Sequence, residues 1–279
     1  MKLDEFINRY NAEYIRSRSN QSCVTLSKLG DKKYRDAEGM YLAEGVKLTL
    51  EALRYADCEC VVISSSAVLK NQKAEECAAA ANEKNVRLIV CEDQVFEKIS
   101  TEKAPQGVIC AVKYQHSLHV SENFGVWQNS KRLLMLSEVR DPGNLGTIMR
   151  TAEALGIDGV ILADCADIYN PKVVRAAMGT LFRLPVFVCD DAVSCIKEMQ
   201  ACGRRTIAAA LSENSLTLGK YELERSDCVI IGNEGHGLSD EMISAAENTV
   251  MIPMAGNTES LNASSAASCI MWEYYRAFN

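Results

Sequence analysis

"VRDPGNLGTIMRTAEALG", residues 139–156, reads as a loop that runs into a helix. Asp141, Pro142, Gly143 and Asn144 are turn formers, each for its own conformational reason. After them Leu145, Ile148, Met149, Ala152 and Leu155 recur at helical spacing, and Gly156 stands where a helix would stop. The stretch predicts a helix over 145–155. Arg150 falls off the apolar stripe, so it faces solvent or a ligand. A helix start offers free N–H groups, and with an arginine nearby such a junction can hold an anion. An ordinary capped helix with a surface arginine is the plainer alternative.

Working outward, the runs "RLLML" (132–136), "GVILAD" (159–164), "PVFVC" (185–189), "RTIAAAL" (205–211), "CVIIGNE" (228–234) and "TVMIPM" (249–254) read as strands. Helices fit near 145–155, 171–179, 191–202, 239–246 and 261–277. Continuous apolar strands separated by helices imply a parallel sheet covered on both faces. Ligands in such sheets bind beyond the carboxyl ends of the strands. The Gly- and Asn-bearing loops fall at those ends.

A smaller α/β alternation precedes this one. "MYLAEG" (40–45), "CVVIS" (60–64), "VRLIVC" (86–91) and "GVICAV" (107–112) read as strands, with helices near 45–56, 67–84 and 92–99. Leu3, Phe6, Ile7, Tyr10 and Tyr14 predict a helix over 3–14, and a second covers 20–29. Residues 114–131 break the rhythm; Phe124 and Trp127 there are expected to pack on something. The organisation is therefore 1–115, a linker at 116–130, and a larger domain at 131–279.

Composition narrows the classes. The 279 residues, 48% hydrophobic and 24% charged, describe an ordinary globular protein of about two domains. No apolar run approaches the ~20 residues that span a bilayer, and "MKLDEFINRY" lacks the apolar core of a signal peptide. A cytoplasmic location is the expectation. The twelve cysteines contain no CxxC and read as small buried apolar residues in a reducing compartment. No HExxH accompanies the three histidines, so no metal site is expected. The net charge of −7 argues against nucleic acid, but residues 16–35 hold Arg16, Arg18, Lys28, Lys32, Lys33 and Arg35 against Asp31 alone. Such a local patch is the usual electrostatic footprint of nucleic-acid contact; a solvated face is the alternative.

Two further loops stand out. In "IIGNEGHGLSDEM" (230–242) three glycines let the backbone approach a ligand or take positive φ, although a tight turn capped by Ser239 would look similar. In "IPMAGNTESLNASSAASCIMWEYY" (252–275) Pro253 ends a strand, Gly256 and Asn257 turn, and Ser260 and Asn262 lie at a helix start rich in small residues. Neither G-x-G-x-x-G after a strand nor G-x-x-x-x-G-K-[ST] occurs, which disfavours a nicotinamide oxidoreductase or a P-loop nucleotidase.

Taken together, N-x-G-x-x-x-R at 144–150, G-N-E-G-x-G-L at 232–238 and I-P-M-x-G-x-x-x-S-L-N-x-S at 252–264 resemble the three motifs of the SpoU (TrmH) family of RNA ribose methyltransferases. "LAEGVKLTLEAL" at 42–53 is similar to the signature of that family's substrate-binding domain. The resemblance implies a deep trefoil knot, which chain physics alone would not suggest. It also implies S-adenosylmethionine as cofactor, RNA as partner and a homodimer through the C-terminal domain, with no membrane association. Ribosomal 23S RNA is the implied substrate. Transfer RNA, or a non-catalytic RNA-binding protein on the same fold, are the alternatives.

The matching cofactor positions are Leu211, Gly232, Asn233, Gly235, Ile252, Pro253, Met254, Gly256, Ser260 and Leu261. The catalytic set is Asn144, Arg150, Glu234 and Asn262, with Asn144 and Asn262 orienting the ribose and Glu234 holding the loop or Arg150. The family's arginine is proposed as a base; an arginine is always protonated, so a phosphate clamp is the expectation for Arg150. His236 reads as a loop residue, with a role as base the alternative. Arg175 joins the basic patch as an RNA contact. Within 173–185, Ala177 stands where relatives often carry serine.

Overall fold

The computed structural model describes residues 2–115, 131–212, 214–233, 235–256 and 260–278. The expected linker at 116–130, with Phe124 and Trp127, lies outside the described residues, as do Glu234 and Asn257. The chain forms two compact units. The first is 1–116 together with 169–182; the second is 117–168 with 183–279. Residues 169–182, expected in the C-terminal domain, thus group with the N-terminal one.

In the first unit the elements run α1 (Leu3–Arg9), β1 (Glu13–Ile15), α2 (Gln21–Lys28), α3 (Lys32–Glu38), β2 (Met40–Glu44), α4 (Val46–Tyr55), β3 (Cys58–Ser64), α5 (Ser65–Lys70), α6 (Gln72–Glu83), β4 (Arg87–Cys91), α7 (Asp93–Ile99) and β5 (Val108–Lys113). The sheet order is β1-β4-β3-β5-β2. β1, β4 and β3 run parallel, and β5 is antiparallel to both β3 and β2. Leu26, Val62, Ile89, Phe96 and Ile109 form its core.

The helix expected over 3–14 stops at Arg9. Asn11 turns the chain at φ 49°, a conformation that asparagine tolerates better than most residues. Residues 13–15 then pair with Ile89–Cys91 of β4. The edge ladder and the burial of Ile15 outweigh the helical periodicity of Tyr10 and Tyr14. α3 was not anticipated.

The inserted segment supplies α9 (Pro171–Ala177) and a 3-10 turn at Thr180–Phe182. Tyr169 stacks on Tyr114 at 4.1 Å and lies 4.5 Å from the Tyr41 ring. Val173, Val174, Leu181 and Phe182 are buried.

The second unit runs β6 (Leu133–Ser137), α8 (Pro142–Ala154), β7 (Gly159–Ala163), β8 (Val186–Cys189), α10 (Ala192–Ala201), β9 (Thr206–Ala209), β10 (Leu216–Thr217), β11 (Cys228–Ile231), α11 (Asp240–Ala245), β12 (Asn248–Met251) and α12 (Ala263–Phe278). Its seven strands are ordered β10-β12-β9-β11-β6-β7-β8, and every pairing is parallel. The order turns back at β6: β7 and β8 lie on one side, β11 and the rest on the other. Ligands bind beside such a reversal.

Alternate strand residues face opposite sides. Met135, Ile161, Phe187 and Ile230 pack with Ile196, Met199 and Met242 of α10 and α11. α8 and α12 pack together, with Ile148, Met149, Ile270 and Tyr274 buried. α8 starts three residues earlier than its apolar spacing suggests. Pro142 takes the first position, for which its fixed φ is suited. Asp141 caps it by accepting from the Asn144 N–H at 2.8 Å.

Candidate active site

A cleft of about 520 Å³ opens at the carboxyl ends of β9, β11 and β12. Its volume is that of a small-molecule or cofactor pocket. Leu211, Gly232, Asn233, Gly235, Ile252, Met254, Ser260 and Leu261 line it. Pro253 and Gly256, expected beside them, are exposed and do not appear in that lining. The walls also include Ile231, His236, Asp240 and Ile243, together with Ala263, Ala266 and Ile270 of α12. The last three recur at helical spacing on one face. That signal was present in the sequence but does not say what the face covers.

The loop after β11 is pinned three ways. Asn233 and Gly237 exchange main-chain hydrogen bonds at 3.1 and 3.0 Å. The Asn233 Oδ1 accepts from the Gly235 N–H at 2.7 Å. The Asn233 Nδ2 donates to the Glu138 carbonyl at 2.9 Å, tying the loop to the end of β6. At Gly232 a Cβ would lie 2.3 Å from the Gly237 carbonyl carbon, so only glycine lets the two strands of this loop close. Gly237 itself sits at φ +70°.

Asn144 and Asn262 meet. The Asn262 Nδ2 donates to the Asn144 Oδ1 at 3.1 Å across 118 positions of sequence. The Asn262 Oδ1 accepts from the Ser264 N–H at 2.9 Å and from its hydroxyl at 2.6 Å. Asn262 is thereby held at the start of α12 between Leu261 and Ala263, both lining residues. Arg150 is exposed on α8 and is not among the residues that line the cleft.

At the ends of β6 and β7, Glu138 and Asp164 both adopt left-handed φ, 56° and 50°. The Arg140 guanidinium pairs with both Asp164 oxygens, Nη1 to Oδ1 at 3.0 Å. Its Nη2 lies 3.8 Å from the Glu138 Oε2. The His236 Nε2 is 3.6 Å from that same oxygen. Nothing in the sequence marks Glu138, since glutamate is not a residue chosen for positive φ.

The basic patch is only partly surface. Arg35 is 2% exposed, and its Nη1 donates to the Leu29 and Gly30 carbonyls at 2.8 and 2.7 Å. It closes the end of α2 and cannot meet RNA, which corrects its expected role. Arg16 lies over the Tyr14 ring and Lys28 over the Tyr34 ring. Arg18 and Lys33 are exposed, and Lys32 pairs with Asp36 at 2.6 Å. Arg175 pairs with Glu102 at 2.6 Å and donates to the Thr101 hydroxyl at 3.2 Å.

Fold and cleft together define a parallel α/β protein with a ligand pocket built from glycine-rich loops at the carboxyl ends of β9, β11 and β12. Residues 131–272 match the SpoU rRNA methylase family, and residues 20–110 match the MRM3-like substrate-binding domain. The chain belongs to the SpoU rRNA methylase family. It is 30% identical to the 23S rRNA (guanosine(2553)-2'-O)-methyltransferase RlmP of Bacillus subtilis, over 92% of this chain and 97% of that protein. An AdoMet-bound rRNA methyltransferase from Sinorhizobium meliloti superposes with a TM-score of 0.82 at 28% identity, covering 96% of this chain and 99% of that one. The SpoU methyltransferase AviRb from Streptomyces viridochromogenes, solved with AdoMet, gives 0.77 at 25% identity, with 92% and 98% covered.

Proposed function

We propose that the protein transfers a methyl group from S-adenosylmethionine to a ribose 2′-hydroxyl of 23S ribosomal RNA. The observation that carries this reading is the Asn144–Asn262 contact, which joins the first turn of α8 to the start of α12 between the lining residues Leu261 and Ala263. The apolar walls of Leu211, Ile231, Ile252 and Leu261 suit a nucleoside, and the glycines expose main-chain groups to it. When bound, the cofactor supplies an electrophilic methyl on a sulfonium.

The chain's own residues do the rest. Asn144 and Asn262 orient the ribose, and such positioning is worth up to roughly 7–11 kcal/mol. We assign Arg150 to an RNA phosphate, which its exposed place on α8 permits. Arg16, Arg18, Lys28, Lys32 and Lys33 face the RNA from the first unit. The deep knot that the family resemblance implies belongs to this reading. So does a homodimer through the second unit: Trp272, 51% exposed and stacked on Tyr275, is apolar surface that a second copy would cover. We assign the protein to the cytoplasm as part of this reading. No helix among the described residues is long and apolar enough to cross a membrane.

Mapping ribose methylation in 23S rRNA from cells with and without the gene tests the assignment. One site should disappear on deletion, return with the wild-type gene, and stay absent with Asn144→Ala. An unchanged methylation map overturns it.

A further inference from the structure

A second cavity, of about 310 Å³, lies wholly within the first unit. It opens where β3 and β4 end, beside the paired residues Ser64 and Cys91, and parallel strands present ligand sites at that end. Phe96, Ala67 and Pro105 give it apolar walls. Its polar lining includes the amides of Asn71 and Gln106 and the carboxylates of Asp93 and Glu97, with Lys70 as the basic member.

The walls are fixed before any ligand arrives. The Gly107 carbonyl accepts from the Ser64 N–H at 2.9 Å. Gly107 sits at φ +80°, and a Cβ there would lie 2.5 Å from the Ala67 Cβ, so only glycine brings this loop against α5. The Asp93 Oδ1 holds the start of α5, accepting from the Ser66 N–H at 3.1 Å and the Ser65 hydroxyl at 3.3 Å. The carboxylate has a second oxygen to offer the cavity. The Gln106 Oε1 accepts from the Val46 N–H at 3.2 Å, so the amide presents its Nε2 donors. The Asn71 Oδ1 is likewise engaged, by the Lys73 N–H at 3.1 Å.

Resting on the rRNA-substrate reading above, we propose that this cavity takes an unpaired guanine of the RNA. Single-stranded bases are recognised by apolar contact with their faces and hydrogen bonds to their edges. Guanine offers N1–H and N2–H₂ side by side, which suits a carboxylate that can only accept, and a carbonyl O6, which suits an amide donor. Two carboxylates against one ammonium disfavour a phosphate here. The backbone has its own place beside the cavity. The Glu92 N–H donates to the Ile15 carbonyl at 3.1 Å, and the Lys98 ammonium donates to the Arg18 carbonyl at 2.8 Å. The exposed Arg16 and Arg18 are therefore held along α7, the helix that supplies Asp93, Phe96 and Glu97. Cations along the helix suit the phosphates, and the cavity suits the base. The guanine serves recognition, since the cofactor cleft belongs to the second unit.

The test uses the full-length protein, 23S rRNA transcribed in vitro, and kethoxal, which modifies N1 and N2 of unpaired guanine. Wild-type protein should protect a guanine that is reactive in the free RNA. With Asp93→Asn that guanine should become reactive again while other protections persist. The same variant should bind the RNA about tenfold or more weakly, the discrimination that a bidentate base contact supplies, with an unchanged salt slope. That sign is informative, because removing a negative charge near the RNA would by itself tighten binding. Arg18→Ala should instead lower the salt slope by about 1 and leave the guanine protected. Gln106→Glu keeps the oxygen that receives the Val46 N–H but loses the donor; it should repeat the Asp93→Asn result, and it carries the test if that variant does not fold. Variants that keep the protected guanine, or an Asp93→Asn protein that binds as tightly as wild type or tighter, overturn the proposal and leave the methyl-transfer reading intact. A wild-type protein that binds no 23S rRNA overturns that reading first, and the proposal with it.

Discussion

Gly232 is the residue on which the cleft turns. A methyl group there would sit 2.3 Å from the Gly237 carbonyl carbon, inside any tolerable contact. Gly232→Ala should open the loop, weakening S-adenosylmethionine binding at least tenfold while costing about 1–3 kcal/mol of stability, as overpacking does. Calorimetry and a denaturant melt separate the two effects. Arg150→Ala tests a different link. Its side chain is not part of the cleft lining, so S-adenosylmethionine affinity should survive while turnover on RNA falls by about 10²-fold or more, the loss seen when a charge-stabilising donor is removed. Equal turnover removes the phosphate assignment. Gly232, Asn144 and Asn262 were visible in the sequence because they fall within motifs that resemble those of the SpoU family; as turn formers alone they would pass for ordinary loop residues. Glu138, Asp240 and Ile243 were invisible, because nothing about a glutamate after a strand or a helix-start aspartate records which loop will pass over it.

At the scale of elements, strands read well and short edge structure read poorly. The central strands are continuous apolar runs, and burial on both faces leaves that pattern little freedom. The edge strand β1 is three residues long, and its neighbours Tyr10 and Tyr14 continue a helical spacing that the chain abandons at Asn11. α3 escaped notice because its charges look like a solvated loop, yet one of them, Arg35, is interior. Removing it leaves the Leu29 and Gly30 carbonyls without their donor. Arg35→Ala should therefore cost about 2–3 kcal/mol, the worth of a charged hydrogen-bonding group. Lys33→Ala, a few ångströms of chain away but exposed, should change stability by under about 0.5 kcal/mol. Chemical denaturation of the two variants compares them directly; equal losses would mean that Arg35 is not a structural cap.

For the whole molecule, the buried cysteines predict a loss of stability at alkaline pH. All twelve are free. Burial pushes the thiols of Cys60, Cys77 and Cys91 up to about 12 from an ordinary 9.0. Above pH 9 the unfolded chain releases these protons while the folded one holds them. Their contribution to stability is complete below that pH and declines as pH rises toward 12. The thermal midpoint should fall steadily across that interval, and calorimetric scans in buffers from pH 8 to pH 11 would show it; a flat profile would mean that the thiols ionise in place.

The return of residues 169–182 to the first unit carries a further consequence, for the order of events during synthesis. Domains on a ribosome ordinarily fold in turn as they emerge, the leading one first. Here Tyr169, Val173, Val174 and Phe182 complete the leading one, and they are made after β6, α8 and β7. Those three elements have therefore already been synthesised when the first unit receives its last segment.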